Sequence, residues 1–252
     1  MNLLEQITRC PIVKECFASP GSDHACSKIV QVQRQKSLEN FQVPEPWSGH
    51  LEKAPIIFLS SNPSISESEE YPLGCWTEDQ IADFFENRFG GGKKQWIKNG
   101  VHGLQKSTEE QPSHGKATHF WVEVRERAKE LLERDVNPGE DYTLSELVHC
   151  KSLAEEGVKE ALEECTKRYF EPIVRLSGAR IIVVLGSKAR EIVKGKLGIP
   201  ADIHLFGPEE VFGCKRLVVF MPHPSSFGHR SFAKCLTEEE LGALRNLLRG
   251  KY

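Results

Sequence analysis

The chain has 252 residues, of which 39% are hydrophobic, and a formal net charge of −3. A chain of this length can bury a full core as one large domain. The weak negative charge excludes a strongly basic nucleic-acid-binding protein, so any DNA-binding surface must be a local patch. No apolar run reaches the roughly 20 residues that span a bilayer, and the N-terminus lacks the order of a signal peptide. We therefore expect a cytoplasmic protein without membrane contact, and no segment indicates an obligate protein partner.

Short apolar runs alternate with amphipathic stretches along the chain. The runs predict strands at 55–60, about 143–149, 181–185 and 217–221. Apolar residues recur at helical spacing in 120–135 and again from Leu162 to Leu176, and Thr237 with Glu240 predicts the capping box of a final helix. This alternation predicts one α/β domain over residues 1–252, with a central, mostly parallel four-stranded sheet flanked by helices.

Two segments differ from this pattern. Residues 1–50 carry several cysteines, and residues 88–119 are rich in Gly and Lys, with six Lys or Arg against two Glu. We expect the second segment to be a long functional loop inserted into the domain. Its Lys93 and Lys94 are candidates for contacts with a DNA backbone.

Two polar motifs follow directly on predicted strands. They read SSNPS, residues 60–64, and PHPSS, residues 222–226. Pro63 lacks an N–H and biases Asn62 away from helix, so the first strand ends abruptly. Ligands of open parallel sheets bind outside the carboxyl ends of the strands, so Asn62 and His223 are expected to converge on one pocket. Taken singly, Asn62 could cap a turn and His223 could be a packed loop histidine.

The order, spacing and strand-end placement of these motifs resemble the uracil-DNA glycosylase superfamily. SSNPS resembles the Asn-Pro motif of its mismatch-specific and single-strand-selective branches, and PHPSS resembles the His-Pro-Ser loop of the family. The resemblance covers roughly residues 50 to 245. It implies a uracil-DNA glycosylase-like α/β fold, DNA as partner, and hydrolysis of the N-glycosidic bond of a flipped base.

The resemblance also implies the catalytic roles. His223 would donate a hydrogen bond to O2 of the base and stabilise the negative charge that develops there. Asn62 would orient the attacking water through its amide oxygen, although an amide is not a strong base. No lysine lies in either motif as an obvious Schiff-base nucleophile, so a monofunctional enzyme without lyase activity is expected.

An enzyme that acts on a base must take it out of the stack. The loop after His223 supplies the candidates for DNA contact and for a wedge that fills the vacated space, which are Ser225, Ser226, Phe227, His229 and Arg230. The alternative is an ordinary exposed loop. For contacts with the flipped base we expect an aromatic floor from Tyr71 or, second, Trp76, together with Ser61. Core packing is the alternative for both aromatic residues.

Eight cysteines in a reducing compartment are better candidates for metal ligands or buried fillers than for disulfides. Cys150 and Cys165 are separated by 14 residues, which resembles the iron–sulfur branches of the superfamily. That resemblance implies a 4Fe-4S cluster with Cys10 and Cys16 as the first pair, although Cys26 could replace one of them and zinc could occupy four thiolates instead. The remaining cysteines are expected to be ordinary thiols, namely Cys75, Cys214 and Cys235.

One departure from the family concerns the base. The iron–sulfur branches carry an Asn that reads uracil four residues before the third cysteine, and this chain has Glu146 there. An ionised carboxylate suits the amine of cytosine better than O4 of uracil. The expected substrate is therefore a modified cytosine, including a glucosylated hydroxymethylcytosine whose sugar the 88–119 loop could accommodate. The alternatives are a uracil-excising repair glycosylase and, from another class, a non-catalytic nucleic-acid-binding or sensing protein. Glu146 could also point outward into a salt bridge.

Overall fold

The computed structural model describes residues 1–106, 113–226 and 231–250. Its strands, in chain order, are β1 (Trp47–Ser48), β2 (Ile56–Ser60), β3 (Ile97–Lys98), β4 (His102–Leu104), β5 (His114–Ala117), β6 (Tyr142–Glu146), β7 (Ile181–Leu185), β8 (Leu205–Val211) and β9 (Cys214–Met221). Its helices are α1 (Leu3–Thr8), α2 (Pro11–Ala18), α3 (Ser27–Gln31), α4 (Glu78–Glu86), α5 (His119–Leu132), α6 (Val158–Leu176), α7 (Ser187–Leu197), α8 (Phe232–Cys235) and α9 (Glu238–Leu248), with a short 3₁₀ turn at Leu38–Asn40. Among these helices, none combines the length and the apolar character that a membrane crossing requires.

The main sheet has six strands in the order β1-β6-β2-β7-β9-β8. Its four inner strands are mutually parallel, while β1 and β8 pair antiparallel at the two edges. The α/β class is confirmed, but the predicted four-stranded sheet is wrong because the sheet is mixed and six-stranded. The four predicted strands are its parallel centre. The two edge strands were missed because β1 is only two residues long and β8 exposes much of its length.

The inner strands are apolar on both sides because helices cover both faces of the sheet. Along β2, Ile57 and Leu59 join a core cluster with residues of α1, α4 and α6. Ile56 and Phe58 point the other way and join a second cluster with α5 and α9. The side-chain period of two therefore divides one strand between two cores.

The N-terminal helices pack against α6. Gly157 precedes α6 with φ of 74°, and a Cβ built on it would lie 2.3 Å from the backbone nitrogen of Ile29 on α3. A residue with a side chain fits neither this backbone conformation nor this close approach. Ile7 and Val30 are fully buried in the same core as α6.

The segment 88–119 is not simply a loop. It contains a small antiparallel sheet in the order β3-β4-β5. Residues 107–112 of the segment lie outside the described part of the chain. The amide of Glu70 donates to the carbonyl of Leu104 at 2.8 Å and ties this sheet to the segment after the first motif. The two ends of the 88–119 segment, at Arg88 and near Thr118, both reach the carboxyl edge of the main sheet.

The final helix begins as predicted. The amide of Glu240 donates to Oγ1 of Thr237 at 3.2 Å, and the amide of Thr237 donates to Oε2 of Glu240 at 2.8 Å. These reciprocal bonds confirm the capping box of α9.

Candidate functional site

A cavity of about 360 Å³ lies at the carboxyl ends of the parallel strands. Its walls come from strand ends and from both ends of the 88–119 segment. The residues that carry its chemistry are Asn62, Glu146, Lys151, His223, Arg88 and Trp121. The two motifs that the sequence analysis singled out therefore meet at one cavity.

Asn62 is half-buried just past the end of β2. Its side-chain nitrogen donates to the carbonyl of Pro63 at 2.9 Å and to Oγ of Ser152 at 2.7 Å. Both amide hydrogens are thus used, and among the described residues nothing donates to Oδ1. The arrangement fixes the amide and leaves its acceptor oxygen for a ligand or a water in the cavity.

His223 follows β9 directly. Its Nδ1 accepts a hydrogen bond from the amide of Ser225 at 3.2 Å. Burial, and then the nearby charge of Arg127, lowers the pKa of His223 below its usual value, so the ring is neutral at pH 7. A neutral imidazole whose Nδ1 accepts must carry its hydrogen on Nε2, which makes Nε2 the donor that remains.

Gly186 holds the other side of this histidine. It ends β7 with φ of 88°, and a Cβ added to it would lie 3.3 Å from Cβ of His223. The ring of Phe120 lies 5.6 Å from the histidine ring, centroid to centroid. The imidazole of His223 therefore packs against the backbone at Gly186 and against the ring of Phe120 on α5.

The floor of the cavity is a buried ion-pair network around Arg88, which is 2% exposed. Its Nη1 donates to Oε1 of Glu45 at 2.5 Å and to Oγ of Ser48 at 2.8 Å, and its Nη2 donates to Oε1 of Glu69 at 3.3 Å. Burial opposes ionisation of Glu45, but the charges of Arg88 and Lys151 outweigh it and hold the pKa of Glu45 below its usual value.

Lys151 is a second buried cation of the floor and is 3% exposed. Its Nζ lies 3.6 Å from the centroid of the Tyr71 ring, a cation–π contact. Burial lowers the pKa of Lys151 to about 8, against the opposing effects of Glu45 and Glu69. The residue lines the cavity and directly follows Cys150 in the segment after β6.

Glu146 ends β6 and points into the cavity, not outward into a salt bridge. It is 8% exposed, and Oγ of Ser60 donates a short hydrogen bond to its Oε2. Burial raises the pKa of Glu146 to about 8. The hydrogen bond from Ser60 and the charges of Arg88 and Lys151 lower this pKa, but by less than burial raises it. The carboxyl is therefore mainly protonated at pH 7, whereas the sequence interpretation treated it as ionised.

The aromatic residues expected under the base lie elsewhere. Tyr71 is buried in the core and its hydroxyl donates to the carbonyl of Val43 at 3.2 Å. Trp76 packs against Trp96 with ring centroids 5.7 Å apart. Neither residue lines the cavity, because both belong to the aromatic cluster around α4. The aromatic residues that do line it are Phe120 and Trp121, at the start of α5.

Ser61 also differs from expectation. Its carbonyl accepts a hydrogen bond from the amide of Val148 at 2.9 Å, and its neighbour Ser60 lines the cavity in its place. Alternation along the strand end explains this shift by one residue, since successive side chains point to opposite faces.

The residues proposed to contact DNA have different positions. Ser225 lines the cavity mouth and Oγ of Ser226 donates to the carbonyl of His223 at 2.7 Å. The wedge candidates Phe227, His229 and Arg230 lie outside the described residues. Lys93 is exposed, and Nζ of Lys94 contacts Oε1 of Glu70 at 2.9 Å.

Four cysteines line a second, narrow cavity next to α6. They are Cys10, Cys26, Cys150 and Cys165. Cys16 is buried on α2 and does not line this cavity, so the structure groups Cys26 and not Cys16 with the other three. Within residues 1–106, 113–226 and 231–250, no three His, Cys, Asp or Glu side chains form a group that could hold a metal ion.

Sequence reasoning missed several cavity residues. Lys151 lines the cavity and follows the end of β6, and the strand-end argument that selected Asn62 and His223 applies to it equally. Arg88 begins the 88–119 segment and Trp121 lies just beyond its end, and no local pattern in the sequence brings the two residues together. Comparison of the chain with protein-family models and with curated proteins found no match.

The network around Arg88 can be tested through stability. Arg88→Met should lower the free energy of unfolding by about 3–5 kcal/mol, because the buried carboxylate of Glu45 would lose its ion-pair partner. Urea denaturation measures the change. The control is Arg175→Met, which breaks an exposed pair with Glu171 and should cost no more than about 1 kcal/mol. Equal losses in the two variants would contradict the assignment of Arg88 as the support of the floor.

Proposed function

We propose that the chain is a monofunctional DNA glycosylase, which hydrolyses the N-glycosidic bond of a base flipped out of DNA. The observation that carries the proposal is the convergence of Asn62 and His223 on one cavity, each with a polar atom of the required type left over. Asn62 offers an acceptor, Oδ1, and His223 offers a donor, Nε2–H.

The chemistry needs these two atoms in different places. As the bond between C1′ and the base nitrogen breaks, its electron pair moves into the base and the sugar becomes cation-like. Nε2–H of His223 donates to O2 of the base, where negative charge develops. Oδ1 of Asn62 accepts a hydrogen from the water that attacks C1′. Lys151 is held in the floor against Tyr71, and the proposal keeps water as the nucleophile.

The proposed base is a modified cytosine. The cavity volume of about 360 Å³ falls in the range of pockets for drug-sized ligands and exceeds what a bare pyrimidine requires. Beside Glu146 the cavity has charged groups of both signs and an aromatic ring, which can bind the hydroxyls and the face of a sugar. This supports a cytosine with a polar substituent, including a glucosylated hydroxymethyl group. Uracil is the alternative base.

DNA contact would come from the rim of the cavity. Ser225 lies at the mouth, and the segment that follows it, 227–230, supplies the proposed wedge and a cation. Lys93 and Lys94 lie on the 88–119 segment, whose two ends form the cavity wall. These residues would hold the backbone while the base is in the cavity.

The proposed cofactor is a 4Fe-4S cluster on Cys10, Cys26, Cys150 and Cys165. The four cysteine residues line one cavity, and Cys thiolates are the ligands that hold iron–sulfur clusters. The cluster would supply a structural link and no step of the reaction. It would join the starts of α2 and α3 to α6 and to the segment after β6, in which Lys151 lines the proposed catalytic cavity.

Base release tests the catalytic assignment. Asn62→Ala and His223→Ala should each reduce the rate by at least roughly 100-fold, since each removes a group that acts on developing charge or on the water. The measurement uses strands carrying uracil, cytosine, hydroxymethylcytosine or its glucosylated form, followed by alkali cleavage at abasic sites. Matched controls are Asn40→Ala and His204→Ala, both at exposed positions.

Full activity in both site variants would contradict the assignment of Asn62 and His223. A wild-type protein that only retards these strands in a gel, and leaves none of them alkali-sensitive, would indicate the nucleic-acid-binding alternative. A covalent adduct trapped by borohydride would show a lyase and contradict the monofunctional mechanism.

The cofactor is tested by a pair of cysteine variants. Cys26→Ser should remove iron and the broad visible absorption of a cluster, because it removes a ligand. Cys16→Ser is the matched control and should retain both, since Cys16 does not line the cavity. Iron analysis and absorption spectra of protein purified without oxygen give the answer. Loss of iron in Cys16→Ser with retention in Cys26→Ser would contradict the ligand set, and wild-type protein with zinc in place of iron would contradict the cluster.

A further inference from the structure

Glu146 differs from the other carboxyl groups of the cavity in its partners. Glu45 and Glu69 both accept hydrogen bonds from the guanidinium of Arg88. No cation among the described residues lies within ion-pair distance of Glu146. A carboxyl group buried without a cation is most stable in its neutral form, because burial penalises the charge.

The proton of Glu146 has a defined place. Ser60 donates its hydroxyl hydrogen to Oε2, and within the described part of the chain this hydroxyl has no other acceptor. Oε2 is therefore the carbonyl oxygen of the acid. Oε1 makes no hydrogen bond to a described residue, and Glu146 lines the cavity, so in the acid form of Glu146 this is the oxygen placed to donate to a bound base.

The charged surroundings of Glu146 come from several elements. Glu45 precedes β1 and raises the pKa of Glu146, while Arg88 after α4 and Lys151 after β6 lower it. Glu69 and His223 also line the cavity, the former paired to Arg88 and the latter neutral. Burial is the largest influence, and it raises the pKa to about 8. The acid form is thus available at neutral pH and is lost as the pH rises through this value.

We infer that Glu146 is the general acid of the reaction and protonates ring nitrogen N3 of a flipped cytosine-type base as the glycosidic bond breaks. The inference rests on the proposed glycosylase function. It adds Glu146 to His223 as a second group that acts on the negative charge developing in the base. The electron pair of the C1′–N1 bond moves into the ring while the proton passes from Oε1 to N3. The base leaves as a neutral molecule and Glu146 becomes a carboxylate. Water adds its oxygen to C1′ and releases a proton to solvent, from which Glu146 is reprotonated.

This role matches the chemistry of cytosine. Its ring lacks the second carbonyl that helps uracil to carry negative charge, so a proton at N3 makes the leaving group neutral. It also gives a basis for base selection. N3 of cytosine is an acceptor and suits a protonated Oε1, whereas N3 of uracil already carries a hydrogen and would oppose it. Selection would therefore come from the acid form of Glu146 and not from its carboxylate.

The test combines a pH profile with Glu146→Gln. Gln keeps a donor and an acceptor of similar size but has no proton to transfer. Wild-type single-turnover release of a modified cytosine should fall about tenfold per pH unit above the pKa of about 8. Glu146→Gln should be slower by at least roughly 100-fold, lose this limb of the profile, and bind the strand as tightly as wild type. The control is Glu171→Gln on the exposed face of α6.

The outcomes separate the inference from the proposed function. Lys151 titrates in the same range, so a limb that persists in Glu146→Gln belongs to the lysine and overturns the inference. Base release at the wild-type rate by Glu146→Gln also overturns it, while the glycosylase assignment stands. A wild-type protein that releases no base from any strand overturns both. If Glu146→Gln melts at a much lower temperature, a flat wild-type profile from pH 6 to about 9 still rejects the inference.

Discussion

The buried pair between Arg88 and Glu45 is the interaction on which the candidate site depends. Arg88 follows α4 and Glu45 precedes β1, so their contact joins two segments beneath the cavity. The charge of Arg88 helps to hold the pKa of the buried Glu45 below its usual value, and Arg88 also pairs with the part-buried Glu69. Among the described residues, the Nη atoms of Arg88 donate to Glu45, Ser48 and Glu69 and not to Glu146, so Glu146 has no ion pair of its own. The pair thus has two effects, a firm polar floor and one neutral carboxylic acid.

The four consecutive residues of the segment 149–152 each contact a different part of the site. His149 makes two hydrogen bonds with the backbone of Glu45. The amide of Glu45 donates to the carbonyl of His149 at 2.8 Å, and Nδ1 of His149 bonds to the carbonyl of Glu45 at 2.7 Å. Cys150 lines the cysteine cavity, Lys151 lines the cavity at the strand ends, and Oγ of Ser152 accepts a hydrogen bond from the amide of Asn62. A change at the cysteines would therefore reach Asn62 through three residues of backbone. This is a physical route by which a purely structural cluster would affect base release.

The inner architecture could be predicted because buried parallel strands require continuous apolar runs, and IIVVL at 181–185 is such a run. Edge strands such as β8, with the sequence LFGPEEV, have no such requirement and gave no signal. Asn62 and His223 were found because their positions follow from strand ends alone. Tyr71 was misplaced because an aromatic side chain fits a core and a pocket equally well. The ionisation of Glu146 depends on which carboxylates Arg88 binds, and only the three-dimensional arrangement determines that.

The proposed function requires the cavity at the carboxyl edge of the sheet to hold a flipped base between Glu146 and His223. A crystal structure of Asn62→Ala with a DNA strand carrying the preferred modified cytosine tests it most directly, since this variant should bind the base without releasing it. The account predicts the base out of the stack and inside the cavity, with N3 in hydrogen-bond contact with Oε1 of Glu146 and O2 in contact with Nε2 of His223. A base that remains stacked in the DNA, or one bound elsewhere on the protein, would contradict the account.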